Sequence, residues 1–214
     1  MFIASDSDSV MSAQKYERVT AGAELNVAVT LSRLGLKSQY FSRFGNDQLG
    51  SVMLADIEAE GVDISLVKRV DSFTGAMVRN SGKSQLVEIS YLRKGSAAST
   101  IEPQDILESY ISSAKWLHTT GITCAISPTG AATVKYALSK AASLGIKSSF
   151  DLNIRRRLWS EDDAKKVLAP LASNIELLIG GEDEYQVVFG SNEPKKILAE
   201  ANKRGCRIAV MTKG

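Results

Sequence analysis

The sequence predicts an α/β fold: a mostly parallel, doubly wound sheet flanked by helices, with a small antiparallel flap. Strand-like runs alternate with helical segments along most of the 214 residues, and this order places parallel strands between helices. In the middle of the chain, two strand-like runs are joined by a short polar turn, which is typical of an antiparallel hairpin. Hydrophobic residues at 44% and charged residues at 23% are ordinary values for a globular domain and exclude extended disorder.

The first elements are two helices separated by a strand. Leu25, Ala28 and Val29 recur at helical spacing within residues 21–34, and Gly35 supplies the helix stop because glycine adopts the left-handed conformation without steric cost. The elements that follow are a strand over residues 38–44, a turn over residues 45–47, and a helix over residues 48–60 that Gly61 ends.

The flap is predicted from strands within residues 13–20 and 74–93. Its hairpin joins the runs 74–80 and 85–93 through the turn Ser81-Gly82-Lys83-Ser84. Alternation along the second run indicates a sheet with one covered face and one face in water. The apolar face carries Val87, Ile89 and Tyr91, and the wet face carries Glu88 and Ser90.

Regular alternation of helices and strands resumes after the flap. Pro103 suits the first turn of a helix, and Ser127-Pro128 and Ser160 are typical helix starts. In order, the predicted elements are a helix over 103–113, a strand over 115–120, a helix from 127 that Gly145 ends, a strand over 146–150, a helix from Ser160, a strand over 175–179, helices over 182–189 and 194–204, and a strand over 207–211.

Composition excludes several classes of partner. A net charge of +2 is too small for a nucleic-acid-binding protein, which needs a concentrated basic face. No secretory signal precedes residue 12, and no apolar run approaches the ~20 residues of a membrane span. Cys124 and Cys206 lie far apart, as in proteins of a reducing compartment, so we expect a cytoplasmic protein with no membrane partner.

Residues 1–214 are predicted to form one incomplete domain. The chain begins with a polar segment rather than a first strand, and it stops after a strand without the helix that would cover it. Such a sheet leaves apolar surface exposed. We therefore expect both ends of a longer domain to be missing.

The segment after the strand over 146–150 is the first candidate site. It brings Asp151, Asn153 and three arginines, Arg155 to Arg157, to one point. Ligands bind at the carboxyl ends of parallel strands, and three arginines favour an anionic ligand. The alternative interpretation is a solvated basic turn.

Two further groups of polar residues are candidates. Tyr91 and Arg93 share one strand face, and together they suit a hydroxylated acid because arginine grips a carboxylate with two hydrogen bonds. Backbone amides near Gly22 open a helix, and Asn26 could bind a hydroxyl-rich ligand. The flap pair could equally be a surface feature, Gly22 could simply permit the entry turn, and Asn26 could be an ordinary exposed helical residue.

Acidic residues at 182–184 have two interpretations. Carboxylates after a strand can hold magnesium, but the first turn of a helix also favours them without any metal. His118 is the only histidine, and we expect it to be packed rather than catalytic. Neither a Gly-x-Gly-x-x-Gly nor a Walker loop occurs in the sequence.

Five motifs follow one another along the chain. They are Ala21-Gly22-Ala23-Glu24-Leu25-Asn26, Phe44-Gly45-Asn46-Asp47-Gln48-Leu49-Gly50, Tyr91-Leu92-Arg93-Lys94-Gly95, Gly121-Ile122-Thr123, and Asp151-Leu152-Asn153-Ile154-Arg155 with Leu158-Trp159. Together they resemble the ribokinase-like (PfkB) carbohydrate kinases, and within that family the branch that phosphorylates 2-keto-3-deoxygluconate. The resemblance covers nearly the whole chain.

The resemblance implies transfer of the γ-phosphoryl group of ATP to a sugar acid, with Mg²⁺. Glu184 matches a glutamate that the family links to magnesium. The implied substrate-binding residues are Gly22, Asn26, Tyr91, Arg93, Ile122 and Arg155, and the implied nucleotide-binding residues are Asn153, Arg155, Glu184, Lys213 and Gly214.

The sequence departs from the family pattern at several positions. Gly181 replaces the asparagine that normally precedes Glu184 by three residues, and Met77 stands where relatives can carry an aromatic residue. The family's Gly-Ala-Gly-Asp motif, with its catalytic aspartate, does not occur within residues 1–214. We therefore expect no catalytic residue in this chain and no activity from it alone, which an ADP-release assay would test.

Three functions remain open at this point. The first is a 2-keto-3-deoxygluconate kinase, the second is another ribokinase-like kinase such as a fructokinase or ribokinase, and the third is a non-catalytic sugar-acid-binding protein. The resemblance also implies a homodimer or higher homo-oligomer through the flap. The apolar face formed by Val87, Ile89 and Tyr91 gives that dimer a physical basis.

Overall fold

A computed structural model describes residues 1–82 and 87–213, and they divide into two compact units, residues 1–100 and 101–214. The prediction of one domain over the whole chain stays a prediction. In order, the first unit contains β1 (Phe2–Ala4), β2 (Tyr16–Arg18), α1 (Ala23–Arg33), β3 (Arg43–Gly45), α2 (Gln48–Ala59), β4 (Lys68–Val70), β5 (Ala76–Arg79), β6 (Ile89–Leu92) and a 3₁₀ turn (Ala97–Thr100).

The flap is a four-stranded sheet in the order β2-β1-β5-β6. Strands β1 and β2 run antiparallel, β1 and β5 run parallel, and β5 and β6 run antiparallel. The flap hairpin is therefore confirmed, although its predicted turn falls partly on residues outside the described part of the chain. Strand β1 was not expected, because the sequence indicates only a polar segment at this point.

The two faces of the flap differ less than the sequence predicts. On β6, Ile89 and Tyr91 are half-buried while Ser90 and Leu92 are exposed, as alternation requires. The prediction for Glu88 was wrong, because its carboxylate is half-buried and accepts hydrogen bonds from Val10 N (2.7 Å) and Ser9 Oγ (3.0 Å). Val87 is 50% exposed rather than covered.

Helices α1 and α2 pack on a small core beside a second, two-stranded sheet of β3 and β4. Both helices end at a glycine with positive φ, Gly35 at 80° and Gly61 at 76°, as predicted. The strand expected over 38–44 is shorter: Gln39 forms an isolated bridge with Asp63, and only Arg43–Gly45 forms a regular strand.

The second unit alternates strands with helices. In order it contains a 3₁₀ turn (Pro103–Asp105), α3 (Glu108–Ser112), β7 (Trp116–Thr120), α4 (Gly121–Ile126), α5 (Pro128–Ser143), β8 (Lys147–Asp151), α6 (Glu161–Leu171), β9 (Leu177–Gly181), α7 (Glu182–Phe189), α8 (Pro194–Lys203) and β10 (Ile208–Thr212).

Its four strands form one parallel sheet in the order β10-β9-β8-β7, which confirms the predicted fold class. The largest core cluster contains Phe150, Leu168 and Leu178, each with no exposed surface. Burial of such side chains stabilises the unit by roughly 1.5–3 kcal/mol each. The sheet is therefore held by helices whose apolar faces cover it.

The prediction of one helix from Pro103 to Ser113 was wrong. Ile106 adopts an extended conformation (φ −93°, ψ 106°) and separates the 3₁₀ turn from α3. The helix predicted from Ser127 is confirmed, with the Ser127 hydroxyl accepting a hydrogen bond from Gly130 N at 2.9 Å. Among the described residues, no helix has both the length and the apolar character of a membrane span.

Candidate functional site

Four strands of the second unit end at the same edge of their sheet. Thr120, at the end of β7, pairs with Asp151 of β8, and Thr212 of β10 pairs with Gly181 of β9. Because these strands are parallel, the residues that follow them lie along one edge. The predicted site residues that follow these ends are Ile122, Asn153, Arg155, Glu184 and Lys213.

The loop after β8 is anchored by two buried apolar side chains. Leu152 is fully buried and Ile154 is 4% exposed, and Leu152 N donates to Ile179 O at 2.9 Å. Between them Asn153 adopts the left-handed conformation, with φ of 39°, which asparagine tolerates better than most residues. The backbone thus leaves Asn153 half-buried and Arg155 exposed at the strand edge.

Glu184 holds this loop against the start of α7. Its Oε1 accepts a hydrogen bond from Ile154 N at 2.6 Å, and its Oε2 accepts one from Gly181 N at 2.8 Å. Hydrogen bonds to a charged acceptor contribute about 1.5–3 kcal/mol each. Glu184 therefore fixes the position of the Asn153–Arg155 backbone, a contact across thirty residues that no local sequence pattern indicates.

The predicted magnesium role of Glu184 stays a prediction. In residues 1–82 and 87–213, no three His, Cys, Asp or Glu side chains are placed to hold a metal ion. Both Glu184 oxygens already accept a backbone N–H. The chemistry of this edge therefore fits an anion directly, and it fits a cation only through water or through the anion itself.

Arg156 has a role that the sequence did not reveal. Its Nε lies 2.6 Å from Glu161 Oε1, and its NH1 lies 2.7 Å from Asp183 Oδ2, so it joins the loop to the first turns of α6 and α7. The Arg156 guanidinium holds the pKa of the Asp183 carboxyl below its ordinary value. The acidic residues in the first turns of both helices could have indicated these ion pairs, but stabilisation of the helix dipole explained them equally well.

Arg155 and Lys213 are the predicted site residues at this edge that carry an exposed cationic side chain. The Arg155 side chain is exposed and forms no ion pair within the described ranges. Lys213 is 72% exposed, and its Nζ lies 3.6 Å from Glu182 Oε1, a distance at which solvent screens the attraction strongly. Gly214, the other predicted nucleotide-binding residue, lies outside the described residues.

Ile122 lies at the start of α4, directly after β7. Its N–H donates to the Thr120 side-chain oxygen at 3.1 Å, so the helix cap already uses this amide. The preceding Gly121 packs against the loop that carries Asn153: a Cβ added at Gly121 would stand 2.1 Å from Leu152 O. Only glycine permits this close approach of α4 to the loop.

Tyr91 and Arg93 meet on the flap, as their spacing predicts. The Arg93 guanidinium carbon lies 3.9 Å from the centroid of the Tyr91 ring, and Tyr91 pairs directly with Met77 on β5. A cation over an aromatic face is stabilised by about 0.5–1 kcal/mol at an exposed site. The ring therefore holds the guanidinium in a defined place on one face of the flap.

Gly22 and Asn26 lie at the first turn of α1, also in the first unit. Gly22 is the N-cap and has no side-chain cap, and Asn26 N donates to Gly22 O at 2.8 Å. Asn26 is exposed. Arg18 and Thr20 both hydrogen-bond Asp56 on α2, so the segment that leads into Gly22 is anchored to the second helix.

His118 is packed and hydrogen-bonded, as expected. Its Nδ1 lies 2.8 Å from Ser149 Oγ, which also accepts a hydrogen bond from Trp116 Nε1 at 2.9 Å. Ser149 is 4% exposed. These hydrogen bonds join β7 to β8.

Comparison with known proteins gives a consistent result. Residues 1–214 match the profile of the pfkB family carbohydrate kinases. A 2-dehydro-3-deoxygluconokinase of Bacillus subtilis (strain 168) is 32% identical over 218 residues, which cover 100% of this chain and 67% of that protein. A 2-dehydro-3-deoxygalactonokinase of Haloferax volcanii is 30% identical over 185 residues, which cover 86% of this chain and 58% of that protein.

The fold also matches a solved structure. The crystal structure of a PfkB protein from Polaromonas sp. JS666 superposes with a TM-score of 0.93 at 32% identity, covering 100% of this chain and 72% of that chain. The chain thus spans between 58% and 72% of the length of these three proteins.

Proposed function

Because the chain belongs to the pfkB family of carbohydrate kinases, we propose that it phosphorylates a sugar acid with ATP as donor. The acceptor that the site supports best is 2-keto-3-deoxygluconate, which would become the 6-phosphate. In this proposal the flap binds the acid, and the carboxyl edge of the parallel sheet binds the nucleotide phosphates. Each part of the proposal has its own support among the described residues.

The Arg93–Tyr91 pair carries the substrate proposal. A guanidinium held 3.9 Å from a tyrosine ring centroid loses little further freedom when it binds a carboxylate with two hydrogen bonds. A neutral sugar such as fructose or ribose offers no charged partner for such a group. Two similar proteins are named for 2-keto-3-deoxy sugar acids, which agrees with an acidic acceptor. Gly22 and Asn26, in the same unit as the flap, would supply further substrate contacts.

Arg155, Asn153 and Lys213 support the phosphate proposal. Phosphoryl transfer requires mainly positioning and charge stabilisation, and these residues supply two cations and an amide at one sheet edge. Arg155 would contact the phosphates of the nucleotide. Glu184 would keep Asn153 and Arg155 in place through its hydrogen bond from Ile154 N.

Glu184 can contribute to a Mg²⁺ site here only indirectly. Mg²⁺ keeps several waters and binds through few carboxylates together with substrate phosphates. Glu184 would therefore contact the ion through water, since both of its oxygens already accept N–H groups. When bound, the ion would neutralise charge on the nucleotide phosphates.

A homodimer through the flap is part of the same proposal. Val87 is 50% exposed, and Ile89 and Tyr91 on the same face are half-buried, so this face of the flap offers apolar surface to a second copy. Light scattering at micromolar concentration tests this directly. A mass equal to one chain at every concentration would contradict it.

The substrate proposal is tested with the full-length protein and four acceptors: 2-keto-3-deoxygluconate, 2-keto-3-deoxygalactonate, fructose and ribose. ADP release in the presence of ATP and Mg²⁺ should be fastest with 2-keto-3-deoxygluconate. A higher kcat/KM with fructose or ribose would favour a neutral-sugar kinase instead. Binding of the sugar acid without any ADP release would favour the non-catalytic alternative.

The phosphate proposal is tested by Arg155→Ala, with Arg207→Ala as the control. Arg207 is also an exposed arginine of the second unit, but it pairs with Glu176 at the opposite, amino end of β10. Arg155→Ala should raise the KM for ATP at least tenfold, and Arg207→Ala should leave it unchanged. Equal effects of the two substitutions would remove Arg155 from the nucleotide site.

A further inference from the structure

The motif Gly45 to Gly50 has no part in the binding contacts proposed above, yet it contains a carboxylate that accepts three hydrogen bonds. Asp47 is the N-cap of α2, and its Oδ1 accepts a hydrogen bond from Gly50 N at 2.6 Å. The same carboxylate also binds Thr74: Oδ2 accepts from Thr74 N at 2.6 Å, and Oδ1 accepts from Thr74 Oγ1 at 2.8 Å.

Thr74 is closely surrounded at this point. It is 6% exposed, and its Oγ1 accepts a hydrogen bond from Gly45 N at 3.0 Å. A Cβ at Gly45 would stand 2.2 Å from Ser72 O, and a Cβ at Gly50 would stand 2.6 Å from Thr74 Oγ1. Both glycines are therefore needed to let the motif approach the segment that enters the flap.

Thr74 belongs to the flap root, which we define as residues 72–75 and 93–97, the segments that enter β5 and leave β6. The two segments are hydrogen-bonded to each other by Ala97 N to Phe73 O (2.8 Å) and Ser72 Oγ to Gly95 O (2.9 Å). A Cβ at Gly75 would stand 3.5 Å from Arg93 Cβ. Asp47 thus binds Thr74 at the entry to β5, and the pairing of Ala76 with Leu92 joins β5 to the strand that Arg93 follows.

We propose that Asp47 is a positioning residue for Arg93 and Tyr91: it fixes the flap root to the start of α2 and so determines where the acid-binding pair stands. This role rests on the proposed function for the identity of the ligand. Helix capping alone does not require a carboxylate, since Asn and Ser cap as well as Asp. Here three donors converge on two oxygens, an arrangement that only an ionised carboxylate satisfies.

The ionisation of Asp47 agrees with this geometry. Burial by itself raises the pKa of the Asp47 carboxyl, but the hydrogen bonds from Gly50 and Thr74, together with the charge of Arg69, outweigh it and lower the pKa overall. The carboxylate therefore stays charged near neutral pH and keeps accepting all three donors.

Asp47→Asn separates the two roles of this residue. The Asn oxygen can still cap Gly50 N, but the amide NH₂ cannot accept a hydrogen bond from Thr74 N and instead places donor against donor. The matched control is Asp63→Asn, because Asp63 also accepts hydrogen bonds in the same unit, from Ser65 N and Gln39 Nε2 (both 2.8 Å), but does not contact the flap root.

The first measurement is amide hydrogen exchange of the full-length protein. Asp47→Asn should accelerate exchange at least tenfold in peptides covering residues 73–79 and 89–97, while peptides of α1 exchange as in the wild type. Asp63→Asn should not accelerate the flap peptides. Uniform acceleration across the first unit, or unchanged flap exchange, would overturn the proposal.

The second measurement is the kinetics of the full-length protein. Asp47→Asn should raise the KM for the sugar acid at least tenfold with the KM for ATP within twofold of wild type. Thr74→Val should reproduce this effect, and Thr74→Ser should retain wild-type values, which keeps the test valid if Asp47→Asn folds poorly. An unchanged KM for the sugar acid beside a loosened flap root would also overturn the proposal.

Failure of the proposed function gives a different result. In that case the wild-type protein would phosphorylate no sugar acid, while the exchange pattern of Asp47→Asn would still report whether the flap root is anchored.

Discussion

Gly121→Ala tests whether the start of α4 sets the position of the loop that carries Asn153. An alanine Cβ at this position would stand 2.1 Å from Leu152 O, whereas real Cβ contacts are essentially never shorter than 3.0 Å. The helix and the loop would have to separate by about 0.9 Å, taking the difference between these two distances. This movement of the loop would break the hydrogen bond between Ile154 N and Glu184 Oε1.

Two effects of opposite sign decide the outcome for stability. Alanine favours helix by up to about 1 kcal/mol over glycine, while overpacking a well-filled site costs about 1–3 kcal/mol. The lost hydrogen bond at Glu184 adds a further cost of about 1 kcal/mol or more. We therefore expect a net destabilisation of about 1–3 kcal/mol and a higher KM for ATP.

Tryptophan fluorescence measures this change selectively. Trp116 and Trp159 are the two tryptophans of the chain, and both lie in the second unit, so urea unfolding followed by fluorescence reports the unit that carries Gly121. The control is Gly145→Ala, where φ is 69° and an added Cβ meets nothing within 4 Å.

The control should cost about 1–2 kcal/mol through left-handed strain alone and should leave the KM for ATP unchanged. A Gly121→Ala protein as stable as the wild type, with normal ATP kinetics, would refute the packing argument.

Two further predictions concern the same unit. Ser127→Ala removes the N-cap hydrogen bond to Gly130 N and should lower the free energy of unfolding by about 1 kcal/mol; Ser127→Asp should restore it, and no loss with alanine would show that the cap is unimportant. Arg156 lowers the pKa of the Asp183 carboxyl in the folded protein. The ion pair of Asp183 therefore contributes fully to the free energy of unfolding above about pH 4, the pKa of an unfolded aspartate. This contribution is lost as the pH falls through the folded pKa. A ¹³C NMR titration should give a midpoint below 3.8 that rises toward that value in Arg156→Ala, and equal midpoints in the two proteins would contradict the ion pair.

Helices with strong end signals were predictable from the sequence. Gly35, Gly61 and Gly145 were expected to end helices, and each has a positive φ, because only glycine reverses the chain there without steric cost. The Ser127 cap and Pro128 likewise fixed the start of α5. These signals act within a few residues, so tertiary structure did not need to be known.

Short strands were not predictable in the same way. Strands β1 (Phe2–Ala4) and β4 (Lys68–Val70) have three residues each, which is too few for an alternating pattern to be recognised. Their conformation is set by partners: β1 lies between β2 and β5, and β4 pairs with β3. The interruption of the predicted helix at Ile106 was also not predictable, since no residue nearby forbids a continuous helix after Pro103.

In the candidate site, too, contacts between neighbouring residues could be predicted and contacts between distant residues could not. The spacing of Tyr91 and Arg93 predicted their contact, because alternate residues of a strand share a face. The contacts of Glu184 with Ile154 and of Asp47 with Thr74 join residues 30 and 27 positions apart. The motifs containing these residues could be recognised from sequence, but which backbone groups their carboxylates bind required the fold.

The central claim, that the flap selects an acid, is tested most directly by Arg93→Ala in the full-length protein. The measurement is kcat/KM for 2-keto-3-deoxygluconate and for fructose in both proteins. Loss of a charge-assisted contact worth about 1.5–3 kcal/mol predicts a decrease of roughly 10- to 150-fold for the acid, with fructose changing less than threefold. Equal losses for the two substrates, or an acid as good as before, would contradict the claim.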